Sequence, residues 1–184
     1  MSRYSVAMKI TEEGIVTARL FLLHSSPEHL SALITGPAEY HRLFGHSVEE
    51  GYMDYPGALE FSLRQTQLSG ALAPWWLPYL IIHQQDARLI GVCGYKGPPT
   101  DDGVVEIGYS IAPSYRGQGL ATEGAAALTD HALSLPGLLI VHAHTLPSLN
   151  ASTRVLTKCG FTHVSAFDDP EDGTVWRWEL RRAN

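Results

Sequence analysis

The sequence predicts an α+β fold built on one mixed, mostly antiparallel sheet flanked by helices. Three observations carry this expectation. The patterns run strand, helices, meander, helix, strand, helix, hairpin, which does not suit the repeating βαβ units of a doubly wound sheet. Residues 79–111 read as three successive strands joined by short polar turns. A glycine-rich turn at 116–121 connects the last of those strands directly to a helix. With 184 residues, the chain is expected to form a single domain over 1–184.

Residues 15–23 (IVTARLFLL) read as the first strand. Ser26 before Pro27 predicts an N-cap with proline at the first helical position, and Ser25 with Glu28 predicts a capping box. Leu30, Leu33 and Ile34 give the helical spacing, and Gly36 stops the helix. Two short helices follow, near 38–44 and 57–68, joined by a loop carrying Tyr52 and Tyr55 and ended by a break at Trp75-Trp76-Leu77-Pro78. Residues 79–83 and 89–95 form a hairpin, 96–103 (KGPPTDDG) a turn cluster, and 104–111 the third strand of the meander. A helix over 117–135 carries Leu120, Gly124, Ala127, Leu128 and His131 on one stripe. Residues 138–145 are a strand. Residues 150–159 are a short helix with Asn150 as N-cap, Lys158 in the last turn and Gly160 as the stop. Strands 161–167 and 174–180 flank Asp172-Gly173 as a closing hairpin.

The net charge is −6, from 13 basic and 19 acidic residues. This argues against a nucleic-acid binder that works by neutralising phosphates, and is compatible with a cationic substrate. Cys93 and Cys159 form no CxxC pair, so a disulfide scaffold and a zinc ribbon are excluded. Cys93 reads as a small buried hydrophobe and Cys159 as an ordinary helix-end residue. No apolar run reaches the length of a membrane span, and Glu12 and Glu13 interrupt any signal-peptide pattern. The expectation is a soluble cytoplasmic protein with neither nucleic acid nor membrane as partner.

The segment from Val104 to Glu123, VVEIGYSIAPSYRGQGLATE, carries the chemistry. The first amides of a helix lack intrahelical acceptors and sit at the positive end of its dipole, so they suit an anion. Gly117 and Gly119 allow close backbone approach, and Arg116 adds a fixed charge. No lysine completes a Walker motif, and Thr122 stands where the dinucleotide fingerprint needs glycine. On these residues alone, a bare glycine-rich turn is an equal reading.

Arg116-x-x-Gly119-x-Ala121 resembles the acetyl-CoA loop of the GNAT N-acetyltransferase superfamily. The flanking Glu106-Ile107-Gly108-Tyr109, Ala112-Pro113 and Ala121-Thr122-Glu123 are similar to the branch containing the ribosomal-protein N-terminal alanine and serine acetyltransferases. So are Asn150-Ala151-Ser152-Thr153-Arg154-Val155-Leu156 and Lys158-Cys159-Gly160-Phe161. The resemblance implies a GNAT fold with acetyl-CoA as cosubstrate and no metal. It places the pyrophosphate on Arg116, Gly117, Gln118, Gly119, Leu120, Ala121 and Thr122. The pantetheine arm would run along strand 104–111, splayed from 138–145 by a bulge near 110–113. The N–H of Ile111 would polarise the thioester carbonyl, and Asn150 would bond the pantetheine arm or order a nearby water. Many members of the branch carry that asparagine one position earlier, where this chain has Leu149.

An α-amine costs about 1 kcal/mol to deprotonate at pH 7, and a lysine side chain about 4–5 kcal/mol. The resemblance nominates Glu106 as the base, acting through a water, and Ser152 as the proton donor to the leaving thiolate. The plain alternatives are an exposed strand carboxylate and a helix-start serine bonded to backbone. His142 and His144 share one face of a strand, but no third ligand follows at metal spacing, so they are expected to line the cleft or pack beneath helix 117–135. Trp75 and Trp76 wall an acceptor pocket or pack in the core, and Arg19 and Arg154 read as structural or surface ion pairs. The acceptor is a peptide N-terminus or a small-molecule amine. An acyl-CoA sensor without catalysis and transfer of a longer acyl group are the rivals, and a homodimer is left open. Residues 36–78 show no motif.

Overall fold

The computed structural model describes residues 7–55, 57–170 and 173–183. Its strands are β1 (Lys9–Thr11), β2 (Gly14–Val16), β3 (Leu20–His24), β4 (Ser47–Val48), β5 (Tyr79–His83), β6 (Arg88–Tyr95), β7 (Val104–Ile111), β8 (Ile140–Thr145), β9 (Thr162–Asp169) and β10 (Gly173–Arg181). Its helices are α1 (Pro27–Thr35), α2 (Pro37–Phe44), α3 (Ala58–Leu68), α4 (Leu120–Ser134) and α5 (Ala151–Lys158). The strands form one sheet in the order β1-β2-β3-β5-β6-β7-β8-β10-β9, with β4 beside β6. Pairing is antiparallel except for β7–β8 and β4–β6, which are parallel. The expected mixed, mostly antiparallel sheet is thus the observed one.

Alternation along β5 sets up two cores. Tyr79 and Ile81 point into a cluster with Ala125–Leu128 of α4 and Leu156 of α5. Leu80 and Ile82 point into a second cluster with Leu30, Leu33, Tyr40 and Leu59 of α1–α3. Helices α4 and α5 therefore cover one face and α1–α3 the other, each burying an apolar stripe against the sheet.

Local signals held where their partners are near in sequence. Ser26 caps α1, Pro27 occupies its first turn, and Gly36 follows its last residue. The capping box, however, is made by Ser26 with His29, not by Ser25 with Glu28. Ser25 instead donates its hydroxyl to the Pro78 carbonyl at 2.6 Å. Asn150 caps α5 in a second box with Thr153.

Three expectations need correction. The run 15–23 is two strands, β2 and β3, folded on each other by a turn in which Thr17 N–H donates to the Leu20 carbonyl at 2.8 Å. The cause is remote: buried Glu123 accepts from the Thr17 hydroxyl at 2.7 Å, the Arg19 amide at 2.9 Å and Arg19 Nε at 2.7 Å. Helix α4 begins at Leu120 rather than 117, because Gly117 and Gly119 both sit at φ 78°, in the left-handed region. No bulge interrupts the β6–β7 ladder, which runs in regular register from Tyr95↔Ile107 to Gly91↔Ile111. The irregularity lies one strand away, where β6 slips against β5 between Leu89 and Gly91. That slip switches side-chain phase: Cys93 and Tyr95 face the α4 core, whereas Leu89, an even number of residues before them, faces the α1–α3 core.

Residues 70–76 form a short 3₁₀ helix. There Trp75 packs on Tyr95 at 5.0 Å and Trp76 meets Phe61 edge-on at 5.9 Å, so aromatic packing accounts for both. Cys93 and Cys159 are buried and not joined in a disulfide; Cys159 Sγ donates to the Thr122 carbonyl, and burial pushes the Cys93 thiol up. The closing hairpin is β9–β10; Asp172 of its expected turn lies outside the described residues.

Candidate active site

The parallel β7–β8 ladder is short. It pairs Val104, Val105 and Glu106 with Ile140, Val141 and His142, and ends there. Beyond Glu106 the two strands part, while β7 continues against β6 to Ile111. Lys96 N–H donates to the Glu106 carbonyl and Ala112 N–H to the Ile90 carbonyl, so even-numbered residues of β7 spend their backbone groups on β6. By alternation, the amides of Tyr109 and Ile111 turn towards the gap left by β8. The Ile111 carbonyl agrees with this, accepting from Arg116 Nε at 2.8 Å instead of from β6.

One cavity, of about 290 Å³, opens on that gap. Ile111, Arg116, Gly117, Gly119, Leu120, Ala121 and Thr122 line one side of it. The first intrahelical bond of α4 runs from Glu123 N–H to the Gly119 carbonyl, and Gly119 offers no side-chain cap. The amides of the preceding residues are therefore without helical acceptors, as an anion site requires. Two cations sequence reasoning did not assign here, Arg154 and Lys158 of α5, line the opposite wall. Their i, i+4 spacing on a helix is the signal that would have paired them.

Two expected residues stand apart from this cavity. Gln118 turns away: Arg19 Nη1 donates to its carbonyl at 2.9 Å, and its side chain reaches the Ser114 carbonyl. Asn150 spends its Oδ1 on the Thr153 amide at 3.0 Å and belongs to a second cavity. Arg116, beyond lining the first cavity, pairs with Asp54 at 3.0 Å. Asp54 also accepts from the buried Ser110 hydroxyl at 2.9 Å, which ties the loop after β4 to β7.

The second cavity, of about 300 Å³, is lined by Tyr55, Lys96, His144, Thr145, Asn150 and Ser152, with Leu146 and Val175. Ser152 and Asn150 thus share this space. Glu106, on the face of β7 opposite the α4 core, borders it through its contacts with Lys96 and His144. One carboxylate oxygen of Glu106 takes Lys96 Nζ at 2.7 Å and His144 Nδ1 at 3.1 Å. The half-buried Tyr109 donates its hydroxyl to the Ser152 carbonyl at 3.3 Å and so spans the parted strand and α5.

His144 lines the cleft, as expected, while His142 lies deeper. Burial and then the nearby Arg177 push the His142 imidazole down to about 4, so it is neutral at pH 7. The third ligand that sequence spacing did not supply comes from the parallel neighbour. Glu106, His142 and His144 bring ligand atoms within 4.8 Å of one another. The carboxylate is already neutralised by the Lys96 ammonium. Arg19 is the structural ion pair expected of it, bound to Glu123 at 2.7 Å. Burial alone would raise the Glu123 carboxyl, but hydrogen bonds from Thr17, the Arg19 amide and the Arg19 guanidinium outweigh it and hold it lowered.

The parted parallel strands and the uncapped start of α4 open on one cleft, and the class this arrangement belongs to is an acyltransferase fold, as the family match shows. The chain belongs to the acetyltransferase (GNAT) domain family, whose profile matches residues 19–162. A fungal relative, FsC-acetyl coenzyme A-N(2)-transacetylase of Aspergillus fumigatus, is 37% identical over 67 residues, covering 36% of this chain and 28% of its own length. The chain spans about half or less of the length of the curated relatives it matches, between 28% and 54%. Among solved structures, the microcin C7 self-immunity acetyltransferase MccE in complex with acetyl-CoA and AMP superposes with a TM-score of 0.68 at 16% identity, covering 94% of this chain and 98% of that one. The ribosomal L7/L12 α-N-protein acetyltransferase RimL in complex with coenzyme A gives 0.67 at 19% identity, covering 90% and 96%. At these identities the two likenesses establish the fold. No helix among the described residues is long and apolar enough to cross a membrane.

Proposed function

We propose that the protein transfers acetyl from acetyl-CoA to a primary amine, and that the acceptor is an α-amine at a peptide N-terminus. The observation that carries this is the parting of β7 from β8 immediately after Glu106, with the uncapped start of α4 facing the same gap. Arg116, Arg154, Lys158 and the amides of Gly117–Thr122 would hold the pyrophosphate. The Ile111 amide would receive charge developing on the thioester oxygen, an oxyanion-hole arrangement. Glu106 serves removal of the amine proton, and Ser152 returns a proton to the thiolate. Asn150 faces the acceptor side, where its free amide can order substrate or water.

The second cavity favours an α-amine over a polyamine. Among the described residues that line it there is no carboxylate, and Lys96 there is already paired with Glu106 at 2.7 Å. A polycation would therefore find no carboxylate among those residues to bind its further charges, despite the overall charge of −6. An α-amine also needs only about 1 kcal/mol of deprotonation at pH 7, against about 4–5 kcal/mol for a lysine side chain. The structural neighbours differ in role, one a ribosomal L7/L12 α-N-protein acetyltransferase and another a microcin C7 self-immunity acetyltransferase, and the choice of acceptor is tested directly. Coenzyme A thiol release should be followed with a free N-terminal peptide, its N-blocked counterpart carrying an internal lysine, and spermidine. The free N-terminus should turn over fastest. Preference for the blocked peptide or for spermidine would refute the acceptor, and no thiol release with any amine would refute the transferase reading.

A further inference from the structure

We propose that Arg19 is a positioning residue for the cofactor: it holds the Gln118 carbonyl away from α4 and so keeps the start of that helix open to the pyrophosphate. This rests on the acetyltransferase reading and deepens it.

The sequence pattern reads as helix from 117, yet α4 begins at Leu120. In a helix each amide donates to the carbonyl four residues back, so winding α4 further towards 117 would bring the Thr122 N–H onto the Gln118 carbonyl. The first bond present is the one after it, from the Glu123 N–H to the Gly119 carbonyl at 3.0 Å. Among the described residues the Thr122 N–H has no acceptor, and Thr122 lines the first cavity. The Gln118 carbonyl is engaged elsewhere: Arg19 Nη1 donates to it at 2.9 Å. Guanidinium and helix thus compete for one acceptor, and the guanidinium holds it.

Gly119 makes that competition a real choice. At its φ of 78° the 118–119 peptide turns its carbonyl to Arg19. At the helical φ of about −60° the same peptide, turned over, would face α4. Glycine has no Cβ to select between the two, so a contact from outside the loop decides. With Arg19 in place, one conformation is present with and without cofactor, and the anion site is preorganised.

Arg19 is itself aimed. Its Nε and Nη2 both lie 2.7 Å from Glu123 Oε2. Glu123 is buried, and its other oxygen accepts from the Arg19 amide at 2.9 Å and the Thr17 hydroxyl at 2.7 Å. A planar guanidinium fixed along one edge by a carboxylate directs its remaining nitrogen, here Nη1 at the carbonyl. A lysine ammonium has no such fork. Glu123 stands in the first turn of α4, so the helix anchors the residue that limits its own extension. Neither Arg19 nor Gln118 lines the cavity, whereas Gly117, Gly119 and Thr122 do, so Arg19 acts from behind the loop.

The test combines calorimetric titration with acetyl-CoA and amide hydrogen exchange of the cofactor-free protein, for the wild type, Arg19→Met and Thr17→Val. In the wild type the Thr122 N–H should exchange at least about tenfold faster than the Glu123 N–H, whose helical bond is made. In Arg19→Met the helix should wind back, so that Thr122 gains protection and the Kd for acetyl-CoA rises more than about threefold, the competent loop being a smaller fraction of the free protein. Thr17→Val removes a bond to Glu123 and leaves the guanidinium fork, so it should lower Tm and keep Kd within about threefold. General loosening would lower protection at Thr122, so a gain there separates positioning from destabilisation. A Kd for Arg19→Met within threefold of wild type, or an equal weakening in Thr17→Val, would overturn the proposal. So would a Thr122 N–H protected to within tenfold of Glu123 in the cofactor-free wild type, a measurement that stands even if Arg19→Met fails to fold. Wild-type affinity for acetyl-CoA would be intact in each of these cases, whereas a wild type that binds no acetyl-CoA would strike the transferase reading itself.

Discussion

Gly119 offers a way to separate backbone shape from charge at the anion site. It sits at φ 78°, and an added Cβ would have only Arg19 Nη2 nearby, at 3.6 Å. Gly119→Ala therefore meets no clash and carries only the left-handed penalty, about 1–2 kcal/mol for a residue with a Cβ. For a chain of this size each kcal/mol is about 2–4 °C, so Tm should fall by about 2–8 °C. That strain is present with and without cofactor, so it cancels in the Kd for acetyl-CoA, and affinity should stay within about threefold. Gly119→Glu carries the same strain and adds a carboxylate at the free amides of α4. Two unit charges about 4 Å apart repel by about 4 kcal/mol at an effective dielectric of about 20 and about 1 kcal/mol in bulk water. A half-open cleft lies between, at about 2–3 kcal/mol, or about 30–150-fold in Kd. Calorimetric titration with acetyl-CoA and a thermal melt of all three proteins read both quantities. Equal loss of affinity in both variants would assign the loop's role to shape alone. Native affinity in Gly119→Glu would remove the anion site altogether.

Two further outcomes are expected. Arg154→Ala with Lys158→Ala should weaken acetyl-CoA by about 5–30-fold, since exposed ion pairs contribute about 0.5–1 kcal/mol each, and should flatten the dependence of Kd on salt; an unchanged salt slope would take both cations out of the site. Glu123→Gln should cost about 1.5–3 kcal/mol in urea unfolding at pH 7, the range for hydrogen bonds to a charged group. Because the folded carboxyl is held below its ordinary 4.5, its stabilisation is present above that value and lost as pH falls through the folded one. The gap between wild type and Glu123→Gln should therefore narrow as pH falls below 4.5, and a gap that does not change with pH would contradict the ion-pair account.

What the sequence disclosed depended on how far apart the determinants lie. The meander β5–β6–β7 and the Asn150 cap were legible because turns and caps are decided within a few residues. The break between β2 and β3 was not, because the turn at Thr17 is held by Glu123, 106 positions away. The bulge was placed on β7, but packing on both faces of the sheet put the irregularity at Leu89–Gly91, and nothing local in those residues announces it. Around the first cavity, the glycine loop was legible as a local pattern and Ile111 followed only from the family resemblance, whereas Arg154 and Lys158 needed the helix face they share. The Glu106–His144 pair joins residues 38 positions apart across a parallel ladder, a partnership that scanning either strand alone does not show.

The two cores on either side of β5 have an evolutionary consequence. The sheet acts as a bulkhead one strand thick: Tyr79 and Ile81 belong to the cofactor compartment, Leu80 and Ile82 to the compartment roofed by α1–α3. A substitution among Leu30, Leu33, Tyr40 and Leu59 is absorbed by its own compartment and leaves Leu120 and Ala125–Leu128, which seat the start of α4, undisturbed. Such a chassis lets a lineage repack the compartment roofed by α1–α3 while inheriting the cleft beside α4 unchanged.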